Sequence, residues 1–142
     1  MKLAMIAASL VLAGSAQAQS LKENYNLQDR CDELSAQRFT KDYGNGSNPA
    51  NGEKWWASYE DHYNARLNKC FFLLTVDTDV RSVGRNRMVT LYDLNEDTEI
   101  ANFTKMEGDP LRGFCFGQGM PENASCGTER HWRAMIKSYM ED

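Results

Sequence analysis

Two histidines, four cysteines and one cluster of arginines are the residues of this chain whose types and spacing bear on chemistry. His62 stands in Tyr59-Glu60-Asp61-His62-Tyr63-Asn64. A histidine held by a carboxylate is a common general base of hydrolysis. Alternate residues of a strand share a face, so His62 would share one with Glu60 and turn away from Asp61. Adjacency alone therefore makes no dyad. His131 reads as a solvated residue in the first turn of a helix, and no metal-ligand spacing links it to His62. Asp93-Leu94-Asn95-Glu96-Asp97 opens like a calcium loop of the EF-hand type. Thr98 then replaces the required glycine and Thr104 the bidentate glutamate, so an acidic hairpin turn is expected. Gly113-Phe114-Cys115-Phe116-Gly117 has the glycine frame of a nucleophile elbow but not its serine. On these grounds no catalytic, metal-binding or cofactor-binding residue is assigned, and no cofactor is expected.

The arginines lie in Arg81-Ser82-Val83-Gly84-Arg85-Asn86-Arg87, the densest basic cluster of an acidic chain. Read as the connection between two strands, this segment would present Arg81, Arg85 and Arg87 as planar donors to carboxylates or phosphates. The plain alternative is a solvated hairpin tip whose charges suppress edge pairing.

The cysteines must be read with the N-terminus. Lys2, the apolar run Leu3 to Ala13 and the small residues at Ala16 and Ala18 have the layout of a secretory leader, with cleavage expected before Gln19. The run is too short to span a bilayer. Ser15 occupies the position where a lipoprotein box needs cysteine, so no membrane anchor is expected. Export to the periplasm or the medium makes Cys31, Cys70, Cys115 and Cys126 a disulfide set, and none is spaced Cys-x-x-Cys. Of the three connectivities, Cys31–Cys70 with Cys115–Cys126 is favoured. The second pair brackets a segment with Gly117, Gly119 and Pro121 that can turn its ends together.

The elements that must position these residues follow from length and pattern. The chain has 142 residues, 16 Lys and Arg against 20 Asp and Glu, and 42% apolar residues. Loss of residues 1–18 removes Lys2 alone and leaves the rest more acidic. That supports one domain over 19–142, and argues against a nucleic-acid binder, which needs a net basic face. Asn26 is read as an N-cap, and Leu27, Cys31, Leu34 and Phe39 predict a helix over 27–40. A polar glycine-rich stretch over 44–52 ends it. The alternation from Trp56 to Tyr63 competes with a four-residue aromatic period, and a strand is preferred, with a turn from Asn64 to Asn68. Cys70 to Val76 is a strand apolar on both faces. Arg87 to Leu94 and Glu99 to Met106 are two more, and the segment after Gly108 is read as a disulfide-bracketed loop. From Thr128, Trp132, Met135, Ile136, Tyr139 and Met140 form an apolar helical stripe. The expected fold is α+β: an antiparallel meander of about four strands against an N-terminal and a C-terminal helix, stapled by disulfides.

Tyr59-Glu60-Asp61-His62-Tyr63-Asn64 followed by Leu67-Asn68-Lys69-Cys70-Phe71-Phe72 resembles a group of uncharacterised small exported bacterial proteins with a His-Tyr-Asn to Lys-Cys-Phe core. The resemblance is close over these residues and looser at Leu91-Tyr92-Asp93. It implies an exported bacterial protein with a hairpin at this point, and it carries over no activity.

Two function classes follow. The first is an exported, non-catalytic binding or structural module whose partner is an envelope component or another exported protein. The second is a small periplasmic hydrolase using His62 with Glu60 or Asp61. The missing catalytic motifs and the pair of disulfides favour the first.

Overall fold

The computed structural model describes residues 13–48, 53–82, 84–108, 113–117 and 124–142. The expected leader lies for the most part outside them. Helix α1 spans Ala13–Tyr43, and strands β1 to β7 span Ser47–Asn48, Glu53–Asn64, Lys69–Val80, Gly84–Asp93, Thr98–Met106, Gly113–Gly117 and Ala124–Gly127. Helix α2, Glu129–Met140, closes the order. Strands β1 to β7 form one antiparallel sheet in chain order, each beside its neighbour in sequence.

Seven strands correct the expectation of about four. The core strands stand where the pattern places them, but β1, β6 and β7 form where the pattern predicts loop. Each is short, β6 and β7 are framed by Gly113, Gly117 and Gly127, and none carries a β-branched residue. Sheet pairing overrides those weak preferences: β1 pairs with β2, β6 with β5, placing Phe103 opposite Cys115, and β7 with β6. Gly113 is fixed by a close approach, because a Cβ there would stand 2.0 Å from the Phe103 ring. The first helix also departs from expectation. It starts before Asn26, which is an interior residue and not a cap.

The sheet is covered on both faces. On one, Phe72, Leu74 and Val76 pack under Phe39 and Tyr43 of α1. On the other, Phe71, Leu73, Val89 and Leu91 pack with Phe103 under Trp132 and Ile136 of α2. This two-sided burial is why β3 reads as an unbroken apolar run. Thr128 caps α2, its hydroxyl accepting from the His131 N–H at 3.3 Å. Helix α1 buries Cys31 and Ser35 where Leu34 was expected, and Leu34 is exposed. Two disulfides hold the layers, Cys31–Cys70 with Cα atoms 5.4 Å apart and Cys115–Cys126 with 5.9 Å. Both separations lie within the usual span. The first ties α1 to the central strand, and the second ties β6 to β7. Among the described residues, no helix is long and apolar enough to cross a membrane.

Candidate functional site

The residues singled out around His62 hold the helices to the β2–β3 hairpin. The Asn64 side chain is fully enclosed. Its amide donates to the carbonyls of Ser138, Tyr139 and Glu141 at 3.0, 3.2 and 3.0 Å, and its oxygen accepts from the Leu67 N–H at 2.9 Å. One side chain thus satisfies the last carbonyls of α2, which no helical partner can reach. The Tyr63 N–H donates to Gln28 of α1 at 2.8 Å. Lys69 bridges Asp93 and Glu96 at 2.5 and 2.6 Å. Buried Asp93 accepts in turn from the N–H groups of Asn95 and Glu96. The acidic segment that opens like a calcium loop is therefore a self-capped turn between β4 and β5. Arg38 of α1 reaches the same turn at Asp97 and lies 5.6 Å over the Tyr92 ring.

His62 itself faces a groove of about 300 Å³ between β2 and α2. Its Nε2 has no hydrogen-bond partner among the described residues, and Asp142 stands 3.6 Å away. Glu60 is on the same face but is held by Arg133 at 2.9 Å. Asp61 is on the opposite face, under α1. Burial pushes its carboxyl above the usual carboxylate range, and the charge of Asp32 raises it further. The sheet therefore brings neither carboxylate onto His62. Among the described residues, no group of three or more histidine, cysteine or acidic side chains is arranged to hold a metal ion.

The arginine cluster is divided by the fold. Val80 ends β3 and Gly84 begins β4 at φ +88°, a left-handed turn position suited to glycine. Only Arg81 lies in the connection. Arg85 and Arg87 lie on β4, two residues apart and on one face. Cross-strand register sets Trp56, Asp77, Arg87 and Lys105 in a single row over β2, β3, β4 and β5. Arg87 is neutralised. Asp77 lies 3.3 Å from it, and Glu129, in the first turn of α2, lies 2.9 Å from its Nε without hydrogen-bond alignment. Glu129 continues to Arg133 at 2.8 Å and so to Glu60, an alternating chain of charges that runs under α2.

Beyond the first turn of α2 the same face is open. A cleft of about 490 Å³ is lined there by Trp56, Asp77, Arg85, Asn86, Arg87 and Lys105, among others. Trp56 is 49% exposed. The Arg85 side chain is 75% exposed, and its nearest carboxylate oxygen, on Asp79, is 3.7 Å away. Lys105 is exposed and makes no ion pair among the described residues. Trp56 and Lys105 were not singled out from the sequence. Their signal is a tryptophan and a lysine at alternate, solvent-facing strand positions, which acquires meaning only once four strands are in register.

No protein-family model matches the chain, and neither a curated protein nor a solved structure matches it.

Proposed function

We propose that the protein is an exported, non-catalytic module that binds an anionic partner of the cell envelope through the cleft at the β3–β4 end of the sheet. The observation that carries this reading is the state of the charges. Among the described residues Lys105 makes no ion pair and Arg85 only a 3.7 Å contact with Asp79, both exposed beside an exposed tryptophan, whereas Arg87, Arg133, Lys69 and Arg38 are all engaged in ion pairs. Exposed, unneutralised cations cost little to present and can be neutralised by a ligand without first breaking a pair. Export to the periplasm or the medium is supported by the leader-like N-terminus and by the two disulfides, which persist in oxidising compartments. The hydrolase reading at His62 is less well supported, since Glu60 is committed to Arg133 and Asp61 lies across the sheet.

The structure also changes which arginines to test. Arg87 belongs to the charge chain under α2, so its loss would confound folding with binding. The informative variant is Arg85→Ala with Lys105→Ala. The pure protein should be retained on immobilised dextran sulfate and released by salt, because exposed charges are screened within about 8 Å at physiological ionic strength. The double variant should elute at clearly lower salt. Co-elution of the two proteins across the gradient would remove the cleft as an anion site.

A further inference from the structure

We infer that the ligand of this cleft is an acidic oligosaccharide, one whose sugar rings carry carboxylates. The inference rests on the reading of the cleft as an anion site and deepens it by naming the class of anion. Three features of the floor bear on it.

The first is the half-exposed indole of Trp56 at one side of the cleft, with Arg85 and Lys105 on the strands across from it. A sugar ring offers a face of C–H bonds, and an aromatic face with its negative quadrupole is a platform for them. An inorganic anion has no such face and would leave Trp56 without a role. The second is the mixture of polar groups. Asp77 and Glu107 line the same cleft as the cations. Hydroxyl groups both donate and accept, so a polyol satisfies carboxylates and cations together. A ligand bearing only anionic groups has no donor to offer these two carboxylates. The third is the backbone. Beneath the middle of the cleft, β3 and β4 are hydrogen-bonded on both sides, whereas the pairing of β5 with β6 ends at Thr104. A peptide that binds as an added strand needs a free edge, and β3 and β4 offer none beneath the middle of this floor.

The row sets the length. From Trp56 on β2 to Lys105 on β5 there are three strand spacings, about 14 Å at ~4.8 Å each. A ring stacked on Trp56 therefore leaves room for further rings before Lys105. A carboxylate there meets the ammonium, and one nearer β4 meets the planar fork of Arg85.

The test is calorimetric titration of the exported protein with short galacturonate oligomers, neutral malto-oligosaccharides and oligoglutamate of matched charge. Galacturonate should bind most tightly. Trp56→Ala and Arg85→Ala/Lys105→Ala should each weaken it by about tenfold or more, near 1.4 kcal/mol, and Trp56→Phe should keep most of the affinity. Thermal unfolding of each variant confirms that the fold is intact, as expected for exposed side chains. If oligoglutamate binds as well and Trp56→Ala changes neither, the sugar assignment fails while the anion site stands on its dependence on Arg85 and Lys105. Equal binding of the neutral oligomers overturns the requirement for carboxylate. If neither anion binds, the sugar assignment and the anion reading fall together.

Discussion

The two ends of the sheet handle their polar residues in opposite ways. At the β2–β3 hairpin, Asn64, Gln28, Lys69 and Asp93 are all bonded to another element or to the adjoining turn. Both helices are fastened there. At the far end of the α2 face, the first turn of α2 reaches Arg87 and stops, and Arg85, Lys105 and Trp56 face solvent across a cleft. A side chain already satisfied within the fold is costly to redirect to a ligand, because its former partner is then left unpaired. Cations without such commitments can be redirected freely. The richest cluster of chemically suggestive residues, around His62, thus contains the side chains that fasten both helices, and the proposed binding cleft lies at the plainer end.

That division predicts graded effects. The largest belong to the hairpin end. Cys31→Ala releases α1 from β3 and should lower stability by about 2–5 kcal/mol, read by denaturant unfolding of the non-reduced protein. A loss below that range would mean that packing of Phe39 and Tyr43 holds α1 without the staple. Next is Asn64→Ala, which removes the buried donor shared by the Ser138, Tyr139 and Glu141 carbonyls and leaves Arg66 as the remaining side-chain donor, to Ser138. It should cost about 1–3 kcal/mol, with hydrogen exchange accelerated first in the last turn of α2. Exchange that quickens uniformly would show that Asn64 does not act as a local fastening.

Asp61 sharpens the comparison from within the α1 face. Its carboxyl titrates above the ordinary value of 3.8 because it is buried beside Asp32. The folded state therefore holds this proton more tightly than the unfolded chain. Stability from this group rises as pH falls from the folded pKa towards 3.8, and it is lost as pH rises through the folded pKa. Asp61→Asn should raise Tm at neutral pH and flatten the dependence over that window. An unchanged slope would place the ionised carboxylate in a compensated setting. The smallest effects belong to the open end, where Trp56→Ala, Arg85→Ala and Lys105→Ala should each stay within about 0.5 kcal/mol of the parent. A larger loss at Lys105 would reveal a structural role and blur the contrast between the ends.

Much of the framework is legible in the sequence. The stripe from Trp132 to Met140 marks α2, the two-sided apolar run from Cys70 marks the central strand, and of the three pairings open to four cysteines the one favoured by the Gly117, Gly119 and Pro121 segment is the one that the structure has. What remained hidden depends on partners distant in sequence. Ser35 and not Leu34 is buried, because the orientation of α1 is set by Cys31 and Phe39 against the sheet. The cap formed by Asn64 needs the end of α2, and the pairing of the Arg87 charge needs Glu129. Strands β6 and β7 form because β5 offers an edge and a disulfide joins them, neither of which is a local preference. The cleft is the extreme case, since its residues come from four strands and meet only through register.

Mapping amide chemical shifts while a galacturonate oligomer is titrated into the isotopically labelled protein examines both ends at once. The account predicts progressive changes confined to residues 54–56, 77–82, 85–87 and 105–107, with residues 62–69 and 93–97 unmoved. Changes centred on His62, Arg133 and Glu141, or no changes at the open end at saturating ligand, would contradict it.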